Sequence, residues 1–168
     1  MSDIRGLDEH GHPHDVSVSN KGDIYVTSRA FRTPYKRVPG LSIAGAYAAA
    51  DAFGTTMEFV VPREGTIASV IFLDHDDEGI VKELVLFDKI FTETADNAAF
   101  TVSDVDMRYC VGVVSIDVFF NFAANQVGQG SPALAYVAPQ SRLWGQLVTR
   151  GADNIAADNE PELLLVIV

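Results

Sequence analysis

Ile116, Val118, Phe120 and Phe122 recur at every second position, with Ser115, Asp117 and Asn121 at alternate positions on the opposite face. Successive side chains of a strand point to opposite faces, so this spacing predicts a β-strand with one apolar and one polar face. The rest of the chain is built from similar short pieces. Met57-Glu58-Phe59-Val60-Val61 alternates and stops at Pro62. Ile67 to Leu73 is a near-continuous apolar run rich in β-branched residues. Leu84 to Phe87, Ile90-Phe91, Leu134 to Val137, Leu143 to Val148 and Leu163 to Val168 complete the set, and Gly, Pro, Asn and Asp separate them. Ile67 to Leu73 and Leu84 to Phe87 are expected to pair as a hairpin around Asp74 to Gly79. One short helix of about two turns is expected from Ser103, which can cap it, to near Gly112. With one strand before the body, the count is about eight. The expected fold is therefore all-β: a jelly-roll-like two-sheet sandwich with one short helix and an extended N-terminal arm.

A chain of 168 residues fits one domain, and 48% hydrophobic against 21% charged residues excludes disorder. The charge divides it. Residues 1–40 carry six basic and five acidic residues, whereas residues 41–168 carry six basic and eighteen acidic, within a total of −11. An acidic body argues against a sequence-independent nucleic-acid binder, which needs clustered Lys and Arg. Residues 1–46 are expected to form the arm and residues 47–168 the β-sandwich body. Arg29, Arg32, Lys36 and Arg37 follow one another with no acid between them, a basic strip ahead of the acidic body. Leu163 to Val168 is apolar on both faces, which predicts a central strand or one that meets a neighbouring subunit. Arg29, Arg32, Lys36, Arg37, Leu164, Val166 and Val168 are accordingly the candidate contacts with a partner or a neighbouring subunit. The first fifteen residues have no apolar core, so no secretory signal is expected, and no run of about 18 apolar residues predicts a membrane span.

Candidate chemistry competes with simpler explanations. His10, His12 and His14 could share one strand face and meet a zinc ion, as in metal-binding cupins, but Pro13 weakens a strand there and no Glu follows at the spacing that pattern needs. Asp74-His75-Asp76-Asp77-Glu78-Gly79 places acids as an EF-hand loop does, yet Val85 stands where the closing Glu belongs, so a charged hairpin turn is expected. Cys110 sits in apolar sequence and reads as a small hydrophobe rather than a nucleophile. Trp144, between Leu143 and Leu147, reads as a packing residue, with a sugar-stacking platform as the alternative. No metal, cofactor or catalytic residue is expected.

Five segments carry a family resemblance when taken in order. They are Tyr47-Ala48-Ala49-Ala50-Asp51-Ala52-Phe53-Gly54, the strand ending Leu86-Phe87, Asp96-Asn97-Ala98-Ala99-Phe100, Tyr109 to Gly112, and Leu143-Trp144-Gly145-Gln146-Leu147-Val148-Thr149. Together they resemble a family of small tailed-phage virion proteins encoded near capsid genes. The resemblance runs from about residue 47 to the end. It implies a structural role in the virion and a β-sandwich body, with no catalytic residues to carry over. The motif residues also have structural explanations. Gly54 and Gly112 suit turns, and Asp51 and Asp96-Asn97 suit local turn hydrogen bonds.

The resulting expectation is a capsid decoration (cement) protein, not an enzyme, made in the host cytoplasm and placed on the capsid surface. Its partners would be the major capsid protein and further copies of itself, a trimer being the assembly considered, with no nucleic acid and no membrane. The alternative is a carbohydrate-binding or structural module of a phage tail or head fibre.

Overall fold

The computed structural model describes residues 30–42, 45–155 and 161–168 in full, together with the backbone of three earlier strands. Those strands, β1 (Ile4–Leu7), β2 (Pro13–Val18) and β3 (Ile24–Thr27), form an antiparallel sheet in that order. His10, His12 and Arg29 lie outside the described residues. Within the stretch expected to be an extended arm, residues from Phe31 onward are stitched into the body. β4 (Phe31–Arg32) and β5 (Lys36–Arg37) both pair with the last strand, and Val38 is fully buried in the core.

The body is an all-β sandwich of two antiparallel sheets, as the apolar patterning predicts. Its strands are β6 (Ala52–Val60), β7 (Glu64–Asp74), β8 (Lys82–Phe87), β9 (Cys110–Ile116), β10 (Val118–Asn121), β11 (Gln126–Gly130), β12 (Leu134–Val137), β13 (Arg142–Thr149) and β14 (Glu162–Ile167). One sheet runs β10-β11-β7-β14-β4, with β12 also on β7 and β5 also on β14; the other runs β6-β13-β8-β9. The chain crosses between these sheets after β5, β6, β7, β9, β12 and β13. Inward-facing Ile67, Val70, Phe72, Leu163, Leu165 and Ile167 of the first sheet meet Phe59, Leu84, Leu86, Val114, Leu143 and Leu147 of the second in one core. β14 sits between β7 and the short β4 and β5, which accounts for its apolar run.

The expected hairpin of Ile67–Leu73 with Leu84–Phe87 does not form. Both edges of β7 are already taken, by β14 on one side and by β11 and β12 on the other, while β8 lies between β13 and β9. Residues 75–81 are long enough to bridge the ~10 Å between packed sheets, so the connection crosses over instead of turning back. The expected helix is cut to one 3₁₀ turn, Asp106–Tyr109. The turn's cap position is Val105, not the expected Ser103, which stands two residues earlier; Ser103 still binds the start of the turn, its Oγ accepting the Asp106 N–H at 3.1 Å and its carbonyl the Met107 N–H at 2.9 Å. The β-branched run that follows starts β9 before a second turn can close.

The period-2 stripe is split by a change of sheet. Ile116 ends β9 in the core, and after Asp117 the chain enters the other sheet as β10. Phe119 then faces the core, while Val118, Phe120 and Phe122 face outward at 50, 54 and 62% exposure. The corner is tight. A Cβ on Gly130 would lie 2.2 Å from the Ser115 carbonyl oxygen, so only glycine lets β11 pass β9 there.

This assignment of faces predicts unequal costs for two neighbouring truncations. Phe119→Ala should destabilise the monomer by about 3 kcal/mol, against less than ~0.5 kcal/mol for Phe120→Ala, measured by urea unfolding at low protein concentration.

Candidate functional site

Two segments singled out in the sequence, Tyr47–Gly54 and Asp96–Phe100, meet at one carboxylate. Asp96 Oδ1 accepts the Gly54 N–H at 2.6 Å and the Tyr47 hydroxyl at 2.9 Å, and Oδ2 accepts the Ser42 N–H at 2.7 Å. Gly54 has φ +75°, and a Cβ there would stand 2.5 Å from Val38 Cγ1 and 2.7 Å from the Pro39 carbonyl. Only glycine can offer its N–H from that position. Tyr47 is buried against Phe53, with ring centroids 5.0 Å apart. Burial, with help from the Asp96 charge, pushes its hydroxyl above the ordinary tyrosine range, so Tyr47 stays a proton donor to Asp96.

Gln146 extends the hub into the sheet. Its side chain is fully buried on the outer face of β13. Nε2 donates to the carbonyls of Gly54 at 2.8 Å and Thr94 at 2.6 Å, and Oε1 accepts the Thr94 N–H at 3.1 Å. Backbone bonds complete the seam: Ala52 N–H to Ala98 O at 2.8 Å, Asn97 N–H to Ala52 O at 2.9 Å, and Phe100 N–H to Ala50 O at 2.9 Å. Asp51 behaves as expected of a turn residue, its Oδ2 accepting the Ala48 N–H at 2.7 Å. Asp96 does not, because the partners just named are 42 to 54 residues distant in sequence. Gln146 carried a readable signal, an amide inside a strand buried on both faces, which must find partners there.

The seam fixes residues 88–109 over the outer face of the second sheet. A second core forms beneath it from Val85, Phe87, Phe91, Trp144 and Val148, with Phe100, Val102, Tyr109 and Cys110 at its margin. Trp144 is 8% exposed in this core, so it is no sugar platform. Burial pushes the Cys110 thiol upward, the opposite of what activates a nucleophile.

The acidic loop is occupied with its own geometry. Asp74 is buried, and its carboxylate accepts the N–H groups of Asp76 at 3.1 Å and Gly79 at 3.2 Å and the Gln126 amide at 2.9 Å. Lys82, also buried, pairs with buried Asp153, donates to the Ile80 carbonyl at 2.9 Å and lies 4.8 Å from the centre of the Phe53 ring. That compensation is what a buried lysine requires. Glu78 accepts the Asn154 N–H at 2.9 Å; burial pushes its carboxyl upward, and Asp153 and Asp74 push it the same way. Among the described residues no group of three or more His, Cys, Asp or Glu side chains is placed to hold a metal ion.

Among the described residues, the outer side of the first sheet carries exposed side chains at its two edges. At one edge, Arg32 on β4 and Arg37 on β5 are exposed and Lys36 is half-buried, with Arg37 Nε 3.4 Å from Glu162. Next to them β14 turns Leu164, Val166 and Val168 to the outer face: Leu164 is buried, Val166 half-buried and Val168 exposed. Ile71 and Leu73 on β7 and Val127 on β11, all half-buried, continue the row toward exposed Val118 and Phe120. The structure thus sets Arg32, Lys36, Arg37, Leu164, Val166 and Val168 side by side on one sheet. The apolar stripe at its far edge escaped the sequence reading, because alternation alone does not say which face is covered.

No protein-family model matches the chain, and no curated protein or solved structure matches it either.

The hub has a measurable weight. Asp96→Ala strands several buried donors and should cost about 3 kcal/mol, whereas Tyr47→Phe keeps the ring packing and should cost about 1 kcal/mol, both read from equilibrium unfolding.

Proposed function

We propose that this chain is a non-catalytic structural protein of a tailed-phage particle, a capsid decoration (cement) protein that binds the assembled shell. The observation that carries this reading is the asymmetry of the sandwich. The second sheet is roofed by the chain's own residues 88–109, whereas among the described residues no such roof lies over the first, whose apolar outer row runs from buried Leu164 through half-buried Val166, Ile71, Leu73 and Val127 to exposed Val118 and Phe120, beside a basic edge. The polar side chains of the resembling motifs are engaged in holding that roof, and the remaining surface is suited to contact.

In this reading the basic edge, Arg32 with Lys36 and Arg37, meets acidic surface on the major capsid protein. The apolar row beside it, including Val166 and Val168, supplies the desolvated part of the contact. Such a protein acts by linkage: it binds the assembled shell and not the free subunit, so each bound copy lowers the free energy of the assembled state. Many copies on one shell add avidity to a modest single contact.

The test is co-sedimentation of purified protein with undecorated expanded capsids of its own phage. Removing residues 1–40 is unsuitable because Val38 and the β4 and β5 pairs belong to the core sheet. An Arg32→Glu, Arg37→Glu double variant leaves the core untouched. Parent protein should bind saturably and the double variant at least tenfold more weakly. Equal binding, or none by the parent, contradicts the reading.

A further inference from the structure

We infer that the free edge of β10 is a self-association site, at which two copies pair β10 with β10 antiparallel about a two-fold axis through Phe120. The inference stands apart from the capsid reading, since it needs only the chain itself.

Among the described residues β10 ends its sheet, with β11 as its one strand neighbour. Backbone groups along a strand point alternately to the two sides. The Phe122 N–H is spent on the Asn125 carbonyl at 2.8 Å, toward β11. Phe120 and Val118 share that direction, so the N–H and C=O groups of Phe119 and Asn121 point to the open side. Natural edges are normally guarded by charge, by proline or by a covering segment. The opposite edge of this sheet carries Arg32, Lys36 and Arg37. In the other sheet, β9 is pressed against β11 at Gly130, and β6 is covered by the Pro39 turn, whose carbonyl accepts the Thr55 N–H at 2.7 Å. Residues 118–122, Val-Phe-Phe-Asn-Phe, hold no charge and no proline.

The occupant follows from symmetry and charge. An antiparallel strand is complementary to itself, so a two-fold axis satisfies both copies at once. Centring the axis on Phe120 sets Phe119 opposite Asn121 of the second copy, where both open backbone groups exchange hydrogen bonds. Phe120 then falls at a non-hydrogen-bonded pair, where Cα atoms lie ~4.5 Å apart and side chains are closest. Val118 meets Phe122 on the same face. Each of these three side chains is at least half exposed in the monomer. In a molecule of net charge −11, residues 118–122 bring no charge of their own to the contact, and the carboxylate held at the strand, that of Asp77, is engaged by the Asn121 amide. With roughly 100 Å² of ring surface hidden per Phe, the contact is small, of the weak and reversible class.

Sedimentation velocity of the parent chain over a concentration series is the first arm. It should show a monomer–dimer equilibrium with a midpoint of roughly micromolar order. Phe120→Glu should remain monomeric throughout, with unchanged circular dichroism and melting temperature because the side chain is exposed. Oxidative cross-linking is the second arm and reads the register. Phe120→Cys should give a disulfide-linked dimer well above the Cys110 background of the parent, since facing Cα atoms at ~4.5–5.5 Å suit a disulfide. Phe122→Cys should not, because the two copies of residue 122 lie about four residues out of step. A monomeric parent, a dimer that survives Phe120→Glu, or equal cross-linking at 120 and 122 overturns the inference.

Discussion

The Asp96 carboxylate holds the most consequential contacts of this fold. It draws the Tyr47 hydroxyl and the N–H groups of Gly54 and Ser42 onto one pair of oxygens. Hydrogen bonds to a charged acceptor in a partly buried site are each worth about 1.5–3 kcal/mol, roughly twice a neutral bond. Losing the acceptor would leave the buried Tyr47 hydroxyl and the buried Gly54 N–H without this partner. Gln146, acting from the sheet beneath, ties the same segments to β13. The roof over the second sheet, and the second core under it, depend on these two side chains.

The roof explains the asymmetry of the molecule. β13 and β8 are buried on both faces because residues 88–109 lie over them, so Trp144 and Phe87 have apolar neighbours above as well as beside them. The first sheet has no such cover over Val118 and Phe120. Its outer face therefore keeps an apolar character that a solvated sheet would have lost to polar residues by alternation. A basic edge and a neutral apolar edge end up at opposite ends of one sheet.

Much of the body was legible because its signals are local. The apolar runs over Met57–Val61, Ile67–Leu73, Leu84–Phe87, Leu143–Val148 and Leu163–Val168 each lie in a strand, with β14 inside the sheet as its two apolar faces require. What was lost is non-local. Nothing near Ile67 or Leu84 says that both edges of β7 will be filled from elsewhere, so the hairpin reading failed. The stripe from Ile116 to Phe122 looks continuous in sequence, yet its face reverses where the chain changes sheets at Asp117. Ser103 does bond to the first N–H of the turn, but the turn starts later than expected, with Val105 at the cap position, and the strand-forming run after Tyr109 overrides helix growth. Asp96 was noticed within its motif and misjudged in role, since its partners lie far along the chain. The buried partnership of Lys82 with Asp153 had no local signature at all.

Native-state hydrogen exchange at Gly54, Asn97 and Phe100 tests most directly whether the hub fastens the roof to the sheet. These amides should exchange only through global unfolding, as slowly as those of β14. In Asp96→Ala they should exchange faster than β14, which would itself remain protected up to the variant's global stability. Rapid exchange of the three amides in the parent chain, with β14 still protected, would show that residues 88–109 open independently and would contradict the account.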